Sequence, residues 1–263
     1  PDWVAGISIG AINAALIVGN PPETCLDQLR QFWERVSAPV VPEIGDLAKN
    51  LFTGDIARGF LNQMHAAGAL MSGAPGFFTP RPVAPFFYPA GTIEATSYYD
   101  TAMLRSTLEE LVDFDRINNG PTRLSIGAVN VRTGNFVYFD SDTHTIRPQH
   151  VMASGALPPG FPPVEIEGEL YWDGGLVSNT PLQYVLDSET QRDMSVFQVD
   201  LFSARGPVPA NLIEAAEREK DIRYSSRTRL TTDVYKRLQN LQSAITKFTE
   251  GLPAEWRDQA SVR

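Results

Sequence analysis

The stretch that decides the fold is WVAGISIGAINAALIVG, which occupies residues 3–19. Its apolar start predicts a short buried strand at residues 3–5. From Ile9 to Val18 almost every residue is apolar or small, and a helix that is apolar on all sides is a buried helix. The glycine and prolines at 19–22 end this helix. The sequence therefore predicts a strand that turns directly into a buried helix.

Strands and helices continue to alternate along the rest of the chain. Apolar spacing and capping residues predict further helices at 23–37, after Asp100, from Pro148, after Thr180-Pro181 and from Leu212 onward. Alternation and turn residues predict further strands at 124–131, 136–139, 164–166, 170–172 and 195–202. Strands that alternate with helices favour an α/β fold with a mainly parallel central sheet.

Length and composition limit the class of protein. The chain has 263 residues, of which 43% are hydrophobic and 20% charged, so it can bury a full core and is neither disordered nor fibrous. Its net charge of −9 disfavours binding to nucleic acid. No apolar run approaches the roughly 20 residues that a membrane-spanning helix needs, and no signal peptide is visible. The sole cysteine, Cys25, excludes a disulfide within the chain.

The motif Gly6-Ile7-Ser8-Ile9-Gly10 lies between the predicted strand and the predicted buried helix. This is the context of a nucleophile elbow, a tight strand-to-helix turn from which a serine hydroxyl projects. Gly6 and Gly10 leave room where the strand and helix backbones approach each other. The Ile9 amide, at the positive end of the helix, can stabilise an oxyanion. Ser8 is thus a candidate nucleophile, although a glycine-rich helix N-terminus explains the same residues.

A serine hydroxyl needs a base before it becomes a useful nucleophile. Histidine is the usual base, and the chain has three, which are His65, His144 and His150. An α/β-hydrolase triad is possible in two combinations, Ser8–Asp140–His144 and Ser8–Asp142–His150. In that layout several strands precede the elbow, whereas here the elbow stands at residue 8. The histidines also lack paired ligand spacing, so the sequence predicts no metal site. It contains neither a P-loop nor a dinucleotide-binding fingerprint, so no cofactor is implied.

A second candidate base follows an apolar strand. In Tyr171-Trp172-Asp173-Gly174-Gly175 the acid ends the strand, and two glycines place it on a tight loop at the edge of the sheet. In α/β sheets such strand ends are where ligands bind. Asp173 could accept the Ser8 proton directly if the two oxygens lie within hydrogen-bond distance. An ordinary Asp-Gly turn explains the same residues.

Residues 67–90, AGALMSGAPGFFTPRPVAPFFYPA, are rich in proline, glycine and aromatic residues and have no clear period. They predict a long irregular insertion. Such a loop can form a lid or a wall that faces the substrate. It can equally be a surface loop whose aromatic rings pack on the core.

Three blocks of the sequence occur in an order that is known from one protein family. The first is the Gly6–Gly10 motif with Ala11-Ile12-Asn13-Ala14-Ala15 behind it, and the second is ASGALPPGFPPV at 153–164. The third joins the Asp173 motif to Asn179-Thr180-Pro181-Leu182. Together, over about residues 3–202, they resemble the patatin-like phospholipase family. The tail after about residue 205 is similar to an extension found in some bacterial relatives.

The resemblance implies a three-layer α/β sandwich, with a mainly parallel central sheet flanked by helices. It implies a patatin-like acyl-hydrolase domain over 1–205, which contains the insertion at 67–90, and a helical C-terminal extension over 206–263. We expect a bacterial protein that is cytoplasmic or peripherally attached to a membrane. The insertion is the candidate acyl-binding wall or membrane-facing cap. The oligomeric state stays open.

The resemblance also implies a chemistry without histidine. Ser8 matches the family's nucleophile, and Asp173, followed by Gly174 and Gly175, matches its aspartate base. The expected reaction is hydrolysis of phospholipid or neutral-lipid esters through an acyl-serine intermediate, at a membrane or lipid-aggregate surface and without a cofactor. Two alternatives stay open. One is the triad esterase, and the other is a catalytically silent domain that binds lipid or a partner.

One feature of the family has no counterpart in the given sequence. Relatives carry a first strand and a glycine-rich loop upstream of the elbow, and the amides of that loop complete the oxyanion hole. Since the chain starts at Pro1, we expect the natural protein to be longer. Loss of one oxyanion donor commonly lowers turnover about 10²–10³-fold. We therefore expect a chain that starts at Pro1 to be poorly active.

Overall fold

The computed structural model describes residues 1–38, 71–178, 180–188 and 194–251. The chain divides into two compact units, Pro1–Pro181 and Leu182–Arg263, and each is described by itself. The expected hydrolase domain over 1–205 and extension over 206–263 stay a prediction.

The first unit is built around a five-stranded sheet. The strands described in this unit are β1 (Trp3–Ile7), β2 (Thr79–Pro80), β3 (Tyr99–Asp100), β4 (Arg123–Asn130), β5 (Phe136–Asp140), β6 (Val164–Ile166) and β7 (Glu169–Asp173). β2 and β3 pair with each other outside the main sheet. The remaining strands form the sheet, with β6 paired to β7.

β4 lies at the centre of the sheet and uses both of its edges. β5 covers one edge along residues 125–129. β1 runs parallel along the opposite edge and ends with Ile7 beside Gly127. β7 runs antiparallel to β4 and ends with Asp173 beside Ala128. Because β5 already occupies the first edge of β4 at this residue, β7 must lie on the same edge as β1. The C-terminal ends of β1 and β7 therefore meet at consecutive residues of β4.

The α/β class and a central sheet flanked by helices are confirmed, but the sheet is mixed rather than mainly parallel. Among the described strands, β1 and β4 form the parallel pair, whereas β4–β5, β4–β7 and β6–β7 are antiparallel. For β4–β5 and β6–β7 the physical reason is that short connections join the paired strands. β4 turns into β5 through residues 131–135, and β6 turns into β7 at Glu167-Gly168, where both residues have positive φ. Tight hairpins of this kind force antiparallel pairing.

Helices flank the sheet of the first unit. They are α1 (Ile9–Val18), α2 (Cys25–Val36), α3 (Ala102–Leu111), α4 (Phe114–Asn119) and α5 (Pro148–Ser154). α1 is a buried helix, as predicted, since most of its residues are buried. Gly19 follows its last residue and donates its amide to the Ala15 carbonyl oxygen. Burial of α1 against β1 and β4 fixes the turn between β1 and α1 in place.

The insertion expected at 67–90 is described from residue 71, and residues 67–70 lie outside the described residues. Two short 3₁₀ turns, Pro85–Phe87 and Glu94–Thr96, lie between β2 and β3. β2 pairs antiparallel with β3, with Thr79 opposite Asp100. The chain from 81 to 98 is therefore a loop whose two ends are held together.

The second unit contains α6 (Leu182–Ser188) and α7 (Leu212–Glu250), and α7 agrees with the helix predicted from Leu212. The strand predicted at 195–202 is wrong, because residues 194–200 have no regular structure. Phe197 and Val199 are 93% and 87% exposed, and none of the described strands pairs with this segment. Without a partner for its backbone groups, an apolar run does not form a strand. In the described part of the chain, no helix combines the length and the apolar character required to cross a bilayer.

Candidate active site

The ends of β1 and β7 bring Ser8 and Asp173 together, although 165 positions separate them in the chain. Ser8 follows β1 directly, and Asp173 is the last residue of β7. The Ser8 Oγ donates a hydrogen bond to the Asp173 Oδ2 at 2.6 Å. The structure thus forms the contact that direct proton transfer from the hydroxyl to the carboxylate requires.

Ser8 has a backbone conformation that few residues adopt, with φ 56° and ψ −127°. Strained conformations of this kind cost about 1–3 kcal/mol and cluster at functional sites. Gly6 makes the tight turn possible, because a Cβ at position 6 would lie 2.3 Å from the Gly10 carbonyl oxygen. The strand and helix backbones therefore approach each other at Gly6, as the motif predicts.

Gly10 does not have the role that the motif predicts. Among the described residues, a Cβ at position 10 would meet no atom within 4 Å, so no close approach of backbones there requires glycine. The reason is geometric. Position 6 faces the backbone of the helix, whereas none of the described residues lies within 4 Å of the place where a Cβ at position 10 would be.

The amide of Ile9 remains the candidate oxyanion donor of the elbow. Ile9 is the first residue of α1, and a helix provides no internal acceptors for its first four amides. The positive end of the helix dipole adds to the attraction for an anion. The Ser8 amide is already committed, since it donates to the Ser154 Oγ at 2.9 Å.

Ser154 is a residue of this site that sequence reasoning did not identify. It ends α5 and is fully buried. Its Oγ accepts from the Ser8 amide and donates to the Gly127 carbonyl oxygen at 2.6 Å. One hydroxyl therefore ties the elbow to the central strand β4. The signal lay in the second motif block, 153–164, which contains Ser154 but says nothing of its contact across 146 positions.

Asp173 is 2% exposed and accepts a second hydrogen bond, through its Oδ1, from the Gly175 amide at 2.7 Å. Burial raises the pKa of Asp173 from 3.8 to about 6, while the hydrogen bonds from Ser8 and Gly175 oppose the rise. Within the described residues no cation pairs with this carboxylate. It is therefore ionised at neutral pH but more basic than an exposed aspartate.

The two glycines after Asp173 have separate structural roles. A Cβ at Gly174 would lie 2.7 Å from the Gly127 carbonyl oxygen and 2.9 Å from the Ile7 side chain, so packing requires glycine at this position. Gly175 contributes its amide to the carboxylate. The loop thus holds Asp173 against both β1 and β4.

The two histidines of the described chain have partners other than Ser8. His144 is exposed, and its Nδ1 lies 2.8 Å from the Thr143 Oγ1. His150 is buried, and its Nδ1 accepts from the Arg147 amide at 2.9 Å at the start of α5. Burial is the main cause that lowers the pKa of His150 to about 4. Both residues therefore have structural explanations.

The aspartates of the two triad alternatives are also occupied elsewhere. Asp140 and Asp142 both pair with Arg123, at 2.9 and 3.2 Å. His65 lies outside the described residues. In the part of the chain that the structure describes, neither proposed triad is assembled around Ser8.

A metal site would need several His, Cys, Asp or Glu side chains together. Across the described ranges, no three such side chains form a group that could hold an ion. The expectation that the protein uses no cofactor stays a prediction.

Among solved structures, the chain is similar to VipD from Legionella pneumophila, with 20% sequence identity and a TM-score of 0.22. The match covers 66% of this chain and 30% of the VipD chain. The present chain thus spans less than a third of the length of that protein. No curated protein matches it.

Two family models match the sequence. One, described as Patatin-like phospholipase, matches residues 1–186, and the other, described as Patatin phospholipase, matches residues 222–263. The first covers well over half of the chain and includes both Ser8 and Asp173. The chain belongs to the patatin-like phospholipase family.

Proposed function

We propose that the protein is a lipid acyl hydrolase that cleaves carboxylic esters with Ser8 as nucleophile and Asp173 as general base. Membership of the patatin-like phospholipase family implies lipid acyl hydrolase activity. The observation that carries the residue assignment is the 2.6 Å hydrogen bond from the Ser8 Oγ to a buried carboxylate.

In the acylation step, Asp173 takes the hydroxyl proton of Ser8 while the Oγ bonds to the carbonyl carbon of the ester. The tetrahedral intermediate then collapses, the bond to the alcohol oxygen breaks, and Asp173 returns the proton to the leaving alcohol. The products are acyl-Ser8 and the free alcohol or lysolipid. The raised pKa of Asp173 supports both transfers, because a base with a pKa of about 6 accepts and releases a proton near neutral pH.

The negative charge that develops on the carbonyl oxygen needs hydrogen-bond donors. We assign the Ile9 amide as one donor, since Ile9 is the first residue of α1 and the helix offers its amide no internal acceptor. The strained conformation of Ser8 keeps the hydroxyl at the start of this helix, and Ser154 holds the Ser8 amide in place. A reacting carbonyl at Ser8 therefore lies near the positive helix end.

Deacylation uses the same groups with water as the nucleophile. Asp173 takes a proton from water, the resulting hydroxide oxygen attacks the acyl carbon, and the bond to the Ser8 Oγ breaks. The Oγ recovers its proton from Asp173. The fatty acid leaves, and the dyad returns to its starting state.

A fluorophosphonate probe tests this assignment in the full-length protein. We expect the probe to label Ser8, the Ser8→Ala variant to lose the label, and His144→Ala and His150→Ala to keep both label and ester turnover. The labelling rate should rise with pH through about 6 and then level off, since Asp173 acts in its ionised form.

The alternatives predict different results. Loss of turnover in either histidine variant would favour the triad esterase. A folded full-length protein that takes no label at Ser8 would favour the silent lipid- or partner-binding domain.

A further inference from the structure

The chain from 81 to 98, here called the aromatic loop, is closed at its base. Arg81 joins the two ends, since its amide donates to the Tyr98 carbonyl oxygen at 3.0 Å and its guanidinium donates to the Ser97 Oγ at 3.1 Å. Ser97 is 1% exposed, so this closure is buried. Proline restricts the backbone at three further positions of the loop, which are Pro82, Pro85 and Pro89. The aromatic loop is therefore a stiff projection rather than a slack connection.

The aromatic loop exposes several large apolar side chains. Phe86 and Phe87, on the first 3₁₀ turn, are each 81% exposed. Val83, Ile93 and Tyr98 are exposed by 43–45%. The Phe86 ring lies edge-on to the Tyr98 ring with 6.4 Å between centroids. Apolar surface held in water in this way is unfavourable and marks a contact with an apolar partner.

The charge of the aromatic loop restricts what that partner can be. The two charged residues of the loop are Glu94 and Arg81, and the Arg81 guanidinium is held in the buried closure, with the side chain 8% exposed. The whole chain carries a net charge of −9. Attraction to anionic headgroups, which basic segments provide, is therefore not available here. Insertion of apolar rings into a zwitterionic lipid surface needs no such charge.

Hydrogen bonds connect the aromatic loop to the candidate active site through a short stretch of chain. The Asp173 amide donates to the Ala156 carbonyl oxygen at 3.0 Å. The Pro159 carbonyl oxygen accepts from the Tyr98 amide at 3.1 Å. Residues 156–159 thus contact both Asp173 and the base of the loop. Leu157, within this stretch, is 37% exposed, so apolar surface also occurs between the two.

From these observations we propose that the aromatic loop docks the first unit on a zwitterionic lipid surface, with the Phe86 and Phe87 side chains inserted among the lipids. The proposal rests on the proposed function, because docking at this position brings the Ser8–Asp173 pair to lipid esters. A stiff loop loses little conformational freedom when it inserts, which favours binding. Docking therefore depends on apolar side chains and not on charge.

The test is binding of the full-length protein, in a Ser8→Ala background, to phosphatidylcholine vesicles, measured by co-sedimentation. The Phe86→Ser/Phe87→Ser double variant should partition about tenfold more weakly or worse, since each buried Phe contributes substantially to transfer. The matched control is Leu26→Ser, which removes a side chain that is 68% exposed on α2. That variant should bind like the parent. Added phosphatidylserine or salt should change binding little.

Three results would overturn the proposal: no binding by the parent, equal binding by the double variant, or binding that requires anionic lipid and is lost with salt. If the double variant does not fold, Phe87→Trp gives a second measurement. Its fluorescence should shift to the blue when vesicles are added, and an unchanged emission also overturns docking. Failure of the proposed function is distinguishable, because it appears as absent fluorophosphonate labelling of the protein that keeps Ser8, while vesicle binding persists.

Discussion

Two buried aspartates end strands that lie on opposite edges of β4, and each accepts a serine hydroxyl at 2.6 Å. Asp140 ends β5 and accepts from Ser125, whereas Asp173 ends β7 and accepts from Ser8. They are 1% and 2% exposed. Both flank β4, Asp140 opposite residue 125 and Asp173 opposite residue 128. A buried Ser–Asp hydrogen bond therefore does not by itself identify a reactive pair.

The surroundings of the two carboxylates differ. Asp140 pairs with Arg123 at 2.9 Å, and the guanidinium also stacks on the Trp3 ring at 3.9 Å from its centroid. Asp173 has no such cation among the described residues, and its burial raises its pKa. Ser125 lies within a regular strand, whereas Ser8 occupies a strained turn at a helix N-terminus. The proposed reactive pair therefore differs from the structural pair in two respects: its buried carboxylate has no cation beside it among the described residues, and its serine has a strained backbone.

The largest effect is expected on ester turnover when the charge of one aspartate, and then of the other, is removed. Asp173→Asn should lower kcat for ester hydrolysis about 10²–10⁴-fold, because the amide cannot accept the Ser8 proton. The matched change, Asp140→Asn, should leave the turnover per folded molecule within a few-fold of the parent. Steady-state kinetics on a soluble ester, normalised to the folded fraction, measures both.

Equal losses in the two variants would contradict the comparison, because the Asp140 cluster would then be as important to catalysis as Asp173. Retention of activity in Asp173→Asn would remove the dyad assignment altogether.

Stability should change in opposite directions at the two aspartates. Asp140→Asn leaves Arg123 with a weaker partner and should lower the free energy of unfolding by about 3 kcal/mol. This is the low end of the range for a broken buried ion pair, because Asp142 still pairs with Arg123. Asp173→Asn should raise it by up to about 3 kcal/mol at neutral pH, because the fold no longer buries an uncompensated charge. Urea unfolding of each variant at pH 7 gives the two values.

The pH dependence fixes the sign of the second effect. The folded state raises the pKa of Asp173 from 3.8 to about 6, so its neutral form stabilises the fold below pH 3.8, and this contribution is lost as the pH rises through 6. The advantage of Asp173→Asn should therefore be absent below pH 3.8 and complete above about pH 6. An advantage that is independent of pH would show that charge burial is not its cause.

The elements around Ser8 could be predicted because their signals are local. The apolar run of α1, the end at Gly19 and the Gly6–Gly10 motif lie within a few residues of one another, and the structure forms the strand, turn and helix that they indicate. The direction of pairing between distant strands has no such signal. Alternation at 164–166 and 170–172 indicates strands but not that β7 would share an edge of β4 with β1.

The remaining misses have physical reasons of the same kind. The apolar run at 195–202 has the composition of a strand, but a strand exists only where a neighbour completes its hydrogen bonds. Ser154 carries no local sign of its bond to the Ser8 amide, because that contact depends on tertiary packing of α5. Asp173 is assigned as the base through the resemblance, since its spacing alone favours an ordinary turn.

A smaller effect should follow from Ser154, which holds the Ser8 amide through its buried hydroxyl. Ser154→Ala leaves the Ser8 amide and the Gly127 carbonyl oxygen without their buried partner. We expect kcat to fall about 10- to 100-fold with KM little changed, because the nucleophile loses its position, and stability to fall by about 1–3 kcal/mol. The control is Ser125→Ala, equally buried beside Asp140, which should lose stability but not turnover per folded molecule.

The smallest effect is expected at Gly10. Comparing Gly10→Ala with Gly6→Ala tests which of the two glycines the packing of the elbow requires. Gly10→Ala places a Cβ where no atom of the described residues lies within 4 Å and removes a flexible residue from the first turn of α1. Stability should therefore rise by up to about 1 kcal/mol. Gly6→Ala, two positions before Ser8, puts a Cβ 2.3 Å from the Gly10 carbonyl oxygen and should prevent the native turn. Thermal unfolding of the two variants measures the contrast. A destabilised Gly10→Ala would mean that the open space beside the elbow is filled in solution, and that the second glycine of the motif is required by packing after all.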